Sequence, residues 1–253
     1  YGEGVDKPQA ALSNSAGRAM QLGIVAAFDR EVQMLVRRTG STADLQGQML
    51  VMVAGMGAER ARAAGERLLN SGATALLSWG VAAALDRGLE PGSLLLPRTI
   101  VAADLSERAV SLNWHRDLCI RLAGKFVIHT EPLAESTLVL STSAQKRALL
   151  LRSAAVAADM ESAALAALAQ TAHVPFVAIR AVSDTADARV PQWLSDVIND
   201  TGRVSLRYAI KGLLLHPRDW IVVSRLAFGF RAARATLTDV ARQAGESLVA
   251  AAS

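Results

Sequence analysis

The sequence predicts an α/β protein, and three observations carry that prediction. Short β-branched or apolar runs alternate with Ala/Leu-rich stretches of helical length along most of the chain. The 253 residues are 51% hydrophobic and 20% charged, a balance that suits one folded domain with a sizeable core. Two carboxylates, Glu161 and Asp184, fall where a helix begins and where a strand stops. In open α/β sheets that edge is where ligands bind.

The elements follow in order. Residues 1–19 are polar and aperiodic and read as a disordered leader; they lack the apolar centre of a secretory signal. Met20 directly precedes the first strand, so residues 20–253 read as a single domain. Gln21 to Ala27 is a strand, and the chain turns at Phe28 into a helix reaching about Arg38. Gln48 to Ala54 is a strand, followed by Gly55-Met56-Gly57 and a helix from Glu59 to Leu69. Ala73 to Trp79 is a central strand between Gly72 and Gly80, and Ser93 to Ala103 is a strand after the turn Glu90-Pro91-Gly92. Residues 104–135 have no clear period; Trp114 and Phe126 there either pack core or wall a pocket, core being favoured. Thr137 to Ser141 reads as a strand and Ser143 to Arg152 as a helix. The apolar run 153–158 leads into a helix over about 161–172, then a buried strand over 174–182. Trp193 to Ile198, Arg203 to Leu215, Trp220 to Ala235 and a last segment ending near Ala250 read as helices.

Composition excludes several classes. One cysteine, Cys119, rules out an internal disulfide framework and fits a reducing compartment. The four histidines show no metal-ligand spacing, so no metal is expected. No apolar run reaches the ~18 residues of a membrane span. The basic charge collects in residues 203–253, where eight Lys/Arg face three Asp/Glu. Its basic residues are not interleaved with stacking aromatics, which argues against nucleic acid. A helix covering the sheet and a helix resting on anionic lipid both fit this tail.

Gly55-x-Gly57 after a strand invites a dinucleotide reading. The third glycine is missing, because position 60 is arginine, and no acid stands some twenty residues on, where the chain reads Leu77-Ser78-Trp79. Close approach of backbone to a sugar is the better use of these glycines.

The stretch Asp159-Met160-Glu161-Ser162-Ala163-Ala164, with Val174-Pro175-Phe176-Val177-Ala178-Ile179-Arg180-Ala181-Val182-Ser183-Asp184-Thr185-Ala186-Asp187, resembles the nucleoside phosphorylase/nucleosidase superfamily, which includes methylthioadenosine/adenosylhomocysteine nucleosidases. The resemblance covers about residues 20–190. The block Leu76-Leu77-Ser78-Trp79-Gly80-Val81-Ala82, the Asp-Met-Glu-Ser motif and Leu214-Leu215-His216-Pro217 before an Arg-rich helix look most like the hopanoid-associated phosphorylase family. Those enzymes are thought to remove adenine from adenosylhopane.

The resemblance implies a three-layer α/β/α fold with a central mixed sheet, here with added C-terminal helices. It implies that Asp184 protonates the purine, that Glu161 binds the ribose hydroxyls with Met160 under the sugar, and that Glu31 activates the attacking water. Ser183 would orient Asp184, and Gly57, Gly80, Val81 and Phe28 would complete the pocket. Asp184 must then hold a proton near neutrality, which burial favours. Arg180 would pair with a carboxylate. The family's Gly-Ser-Ala-Gly-Gly-Leu loop is replaced here by Gly80-Val81-Ala82-Ala83-Ala84-Leu85, and Ser78 and Val81 stand where phosphorylases hold phosphate. That favours hydrolysis over phosphorolysis. No cofactor is needed. The expected partner is a small or lipid-linked adenine nucleoside, with phosphate as an alternative co-substrate. The expected assembly is a homodimer, cytoplasmic, with peripheral contact at the inner membrane face through the tail. A methylthioadenosine/adenosylhomocysteine nucleosidase and a non-catalytic nucleoside-binding module are the alternatives.

Overall fold

The computed structural model describes residues 21–27, 49–191, 193, 216, 219–245 and 248. The helices expected over 28–38 and 203–215, all but the first residue of the one expected over 193–198, and the leader lie outside the described residues.

Two long strands form the centre. β3 (Ala75–Ala84) and β10 (Phe176–Asp184) run parallel, and both read as nearly continuous apolar runs. A strand covered on both faces needs such a run, because neither face meets water. β1 (Leu22–Ala26) pairs in parallel with β3 and with β2 (Met49–Val53). The two-residue strand β4 (Leu94–Leu95) runs antiparallel to β10, and β7 (Ile128–His129) parallels β4. β9 (Ala157–Asp159) runs antiparallel to the end of β3 and parallel to β8 (Leu133–Glu135). β5 (Thr99–Val101) and β6 (Glu107–Ala109) complete one edge. Parallel and antiparallel pairs both occur, so the sheet is mixed.

Helices cover both faces. α1 (Ala58–Asn70) packs on α4 (Ser162–Ala172) so closely that a Cβ at Gly65 would lie 2.6 Å from Leu168. α2 (Leu112–Leu122) packs against α5 (Trp220–Ala244), which lies along β10. α3 (Ser143–Ser153) starts in a capping box: the Gln145 N–H donates to Thr142 Oγ1 at 3.2 Å, and Thr142 N–H returns a bond to Gln145 Oε1 at 3.0 Å. Among the described residues no helix is long and apolar enough to cross a membrane.

Four sequence expectations change. The strand expected over 137–141 is an irregular segment; the ladder uses 133–135 instead, opposite β9. The single strand expected over 93–103 is two, β4 and β5, with Pro97 between them. Proline has no N–H for a ladder. The expected loop after Gly80 is strand: Ala83 and Ala84 pair with Ala158 and Ala157. The break expected near Ala235 is absent, and α5 runs unbroken to Ala244. Trp114 is buried in the core and Phe126 packs against it, as expected.

α5 meets the sheet at Gly229, where a Cβ would stand 2.1 Å from the Ser183 carbonyl oxygen. Only glycine permits that approach. Gly229→Ala is therefore expected to destabilise the protein by about 1–3 kcal/mol, as overpacking typically does, and to shift the strand end carrying Ser183 and Asp184. Thermal melting checks this; an unchanged melting temperature would show that the helix docks loosely.

Candidate active site

The strand ends of β3, β9 and β10 open into a cavity of about 230 Å³. Gly80, Val81, Met160, Glu161, Ser183 and Asp184 all line it. Six residues singled out in the sequence therefore meet in one place. Gly57 does not itself line the cavity; its N–H holds Glu161, which does. Glu31 and Phe28 lie outside the described residues.

Asp184 owes its position to an irregularity. The β10–β3 register shifts between Val182 and Asp184, the mark of a bulge. Regular strand alternation would send consecutive side chains to opposite faces. With the bulge, Ser183 and Asp184 both face the cavity. The Ser183 hydroxyl donates to Asp184 Oδ1 at 2.7 Å, as expected of an orienting serine. The other oxygen, Oδ2, accepts from the ammonium of Lys146, which the sequence reading overlooked. Burial was expected to keep Asp184 protonated. Both of its oxygens thus stand in hydrogen bonds, one to a hydroxyl and one to an ammonium. The sequence pattern predicts the helix over 143–152 but says nothing of where Lys146 aims.

Glu161 stands at the N-cap position of α4, but its side chain does not cap. Asp159 does: its Oδ1 accepts from the Glu161 and Ser162 amides at 3.3 and 3.2 Å. Glu161 is thereby free to face the cavity. Its Oε1 accepts from the Gly57 N–H at 2.9 Å and its Oε2 from the Met160 N–H at 3.3 Å. Gly57 has φ +104, a conformation that glycine adopts without strain. Burial, and then the Asp159 charge, push the Glu161 carboxyl up to about 6, against the lowering pull of Arg180 and the two amides.

Asp159 and Arg180, which also line the cavity, belong to a closed network. Arg180 Nε donates to Asp159 Oδ2 at 2.7 Å, and its Nη2 donates to Ser78 Oγ at 2.7 Å and Ser162 Oγ at 3.1 Å. Arg180 and Asp159 are both buried. This is the carboxylate pairing expected of Arg180. Ser78, standing where phosphorylases hold phosphate, is fully buried and committed to Arg180 and Ser162. Among the described residues Arg180 is the one cation lining the cavity, and its Nε and Nη2 are occupied by these partners.

The upper wall is apolar: Leu138, Val139 and Leu140 from the segment after β8, Val190, and Phe230 from α5. Leu138, Val139 and Leu140 lie just beyond the aperiodic stretch 104–135, whose Trp114 and Phe126 do not line the cavity. Among the described residues no three His, Cys, Asp or Glu side chains gather as a metal site would require.

A model of the phosphorylase superfamily matches residues 21–139 and 124–211. The chain belongs to that superfamily. A 5′-methylthioadenosine/S-adenosylhomocysteine nucleosidase of Buchnera aphidicola is 24% identical over 130 residues, covering 44% of this chain. The match spans about half, 52%, of that relative's own length. Among solved structures, the futalosine hydrolase of Helicobacter pylori superposes with a TM-score of 0.65 at 17% identity, over 92% of this chain and 97% of its own. The 5′-methylthioadenosine/S-adenosylhomocysteine nucleosidase of Neisseria meningitidis, in complex with methylthio-immucillin-A, gives a TM-score of 0.67 at 16% identity, over 89% and 99%. These likenesses establish the α/β fold with its mixed central sheet.

Proposed function

We propose that the chain cleaves the N-glycosidic bond of a purine nucleoside and releases adenine. The convergence of Glu161 and Asp184 on one cavity, from two different strand ends, carries this reading. Cleavage builds positive charge on the ribose and negative charge on the departing base. Glu161 accepts the ribose hydroxyls and favours the cationic sugar, with Met160 against its face. Asp184 delivers a proton to N7 of the base. Glu31 takes the proton of the attacking water. Superfamily membership and the nucleosidase relatives support this assignment.

Water is the favoured nucleophile, because Ser78 is buried and Arg180 is engaged by Asp159, Ser78 and Ser162. The deciding assay measures adenine release with and without phosphate. A ribose 1-phosphate product would replace hydrolysis by phosphorolysis, and no release from any adenine nucleoside would sink the reading.

Glu161 binds hydroxyls as a carboxylate, and its carboxyl sits at about 6. The competent form is therefore present above that pH and lost below it. kcat/KM is expected to fall on the acid side through about pH 6, and Glu161→Gln is expected to weaken both nucleoside binding and turnover. A wild-type acid limb that persists in a folded Glu161→Gln protein would assign the limb to another group.

The substrate we propose is lipid-linked, an adenosylhopane acted on by a homodimer at the inner membrane face. Two observations favour it over a soluble thionucleoside. The upper wall of the cavity is apolar, and the first turns of α5 leave Trp220, Ile221 and Phe228 exposed beside Arg225. The remainder of α5 covers the sheet. A basic residue near an anionic surface contributes about 1 kcal/mol. The protein should co-sediment with anionic but not neutral vesicles, and salt should release it. Charge reversal at Arg225 and Arg231 should slow adenine release from adenosylhopane while sparing methylthioadenosine. Equal loss on both substrates would return α5 to a purely packing role.

A further inference from the structure

Asp184 lies between the cavity and a buried lysine. Lys146 sits in the first turns of α3, a helix fixed at its start by the capping box. Its side chain is 0% exposed, and its ammonium donates to Asp184 Oδ2 and to the Thr185 carbonyl, the latter at 2.6 Å. Lys146 does not line the cavity, whereas Asp184 does. Any proton moving from Lys146 toward a bound nucleoside therefore passes through Asp184.

The hydrogen bonds define the problem this solves. Asp184 meets the Ser183 hydroxyl at Oδ1 and the Lys146 ammonium at Oδ2, and across the second contact the proton sits on the lysine. Protonating a purine needs one. Of its two partners, the lysine ammonium is a far stronger acid than the serine hydroxyl. Among the described residues Lys146 is the acidic donor in hydrogen-bond contact with Asp184.

We propose that Lys146 is a positioning residue that loads Asp184 with the proton passed to the leaving purine. The proposal rests on the nucleosidase reading above. As the C1′–N9 bond breaks, its electron pair moves onto the base. An Nζ–H bond of Lys146 breaks and an O–H bond forms on Asp184; that O–H bond then breaks as N7–H forms. Lys146 is left as a neutral amine. The attacking water gives its hydroxide to C1′ and its proton to the general base, and exchange with solvent returns both groups to their starting states. No oxidant or reductant is involved.

The other charged groups around the pair are accounted for. Asp187, on the loop after Asp184, pairs with Arg87 at 3.0 Å on the outer surface. Arg147 and Arg189 are exposed. Across the cavity stand Glu161 and the closed Asp159–Arg180 pair. Glu161, whose carboxyl burial pushes up to about 6, is common to the wild type and both lysine variants, so its contribution cancels in their comparison.

Lys146→Met and Lys146→Arg are compared with the wild type on one adenine nucleoside between pH 6.5 and 8.5, with folding checked by thermal melting. In Lys146→Met, Asp184 must take its proton from solvent. kcat should fall about 10²-fold at pH 8, within the usual range for general-acid assistance, with KM changed little. The remaining rate should rise about tenfold for each unit the pH falls, where the wild type holds level. Lys146→Arg keeps a cation on Asp184 but releases no proton at these pH values, so it should restore stability without restoring the rate. In an Asp184→Asn background, adding Lys146→Met should cost no further rate. Wild-type turnover in Lys146→Arg, or a pH slope in Lys146→Met like that of the wild type, would overturn the proton relay. So would an equal loss from Lys146→Met in the Asp184→Asn background. Should Lys146→Met fail to fold, Lys146→Arg decides the question alone. Absence of turnover in the wild type would instead overturn the reading of the site itself.

Discussion

Asp184→Asn is expected to give a folded protein that releases adenine about 10²–10⁴-fold more slowly than the wild type, the usual cost of losing a positioned acid. Asparagine keeps the size and planarity of the side chain. Its Oδ1 can still accept from Lys146, and its amide can donate to the Ser183 oxygen, so both contacts of the native carboxylate have replacements. The stability cost should therefore stay below the roughly 3–5 kcal/mol that follows when a buried charge loses its partner outright. The amide has no proton to transfer. Adenine release at saturating nucleoside, beside a thermal melt, separates the two effects. Near-wild-type turnover in the folded variant would remove Asp184 from the mechanism.

The elements legible in the sequence are those whose local pattern agrees with their final environment. β3 and β10 announce themselves as apolar runs because both faces are covered. The Asp159-Met160-Glu161-Ser162 turn is legible because a strand end, a cap and a helix start each demand particular residues there. The strands over 94–95, 107–109 and 128–129 are too short to show a period; their pairing is set by partners distant in sequence. The cavity wall at 138–140 has no regular structure to betray it.

Lys146 is the instructive miss. In the sequence it is one polar residue among several on a helix with little amphipathic character, and lysine there is normally solvated. Its burial is decided by Asp184, a partner 38 residues away. The same long-range logic separates the two acids of the Asp-Met-Glu motif. Asp159 and Glu161 look interchangeable on paper, yet Asp159 caps α4 and holds Arg180, which leaves Glu161 open to the cavity.

That division of labour makes Arg180→Met the second large effect. The substitution leaves Asp159 buried without its cation, directly beside Glu161. Removing one member of a buried pair costs about 3–5 kcal/mol, because the remaining charge keeps only neutral hydrogen-bond donors and no counter-ion. For a domain of this size each kcal/mol moves the melting temperature by about 2–4 °C, so a fall of roughly 6–20 °C is expected. The second consequence is functional. Burial and Asp159 raise the Glu161 carboxyl, and Arg180 opposes them. Without Arg180 the carboxyl rises further above about 6, its competent ionised form retreats to higher pH, and the acid limb of kcat/KM moves up with it. Adding Asp159→Asn removes the orphaned charge while its amide oxygen can still cap α4. The double variant should therefore regain most of the lost stability and bring the acid limb back down. An Arg180→Met protein with an unchanged melting temperature and an unmoved acid limb would show that the buried pair sets neither the fold at this edge nor the ionisation of Glu161.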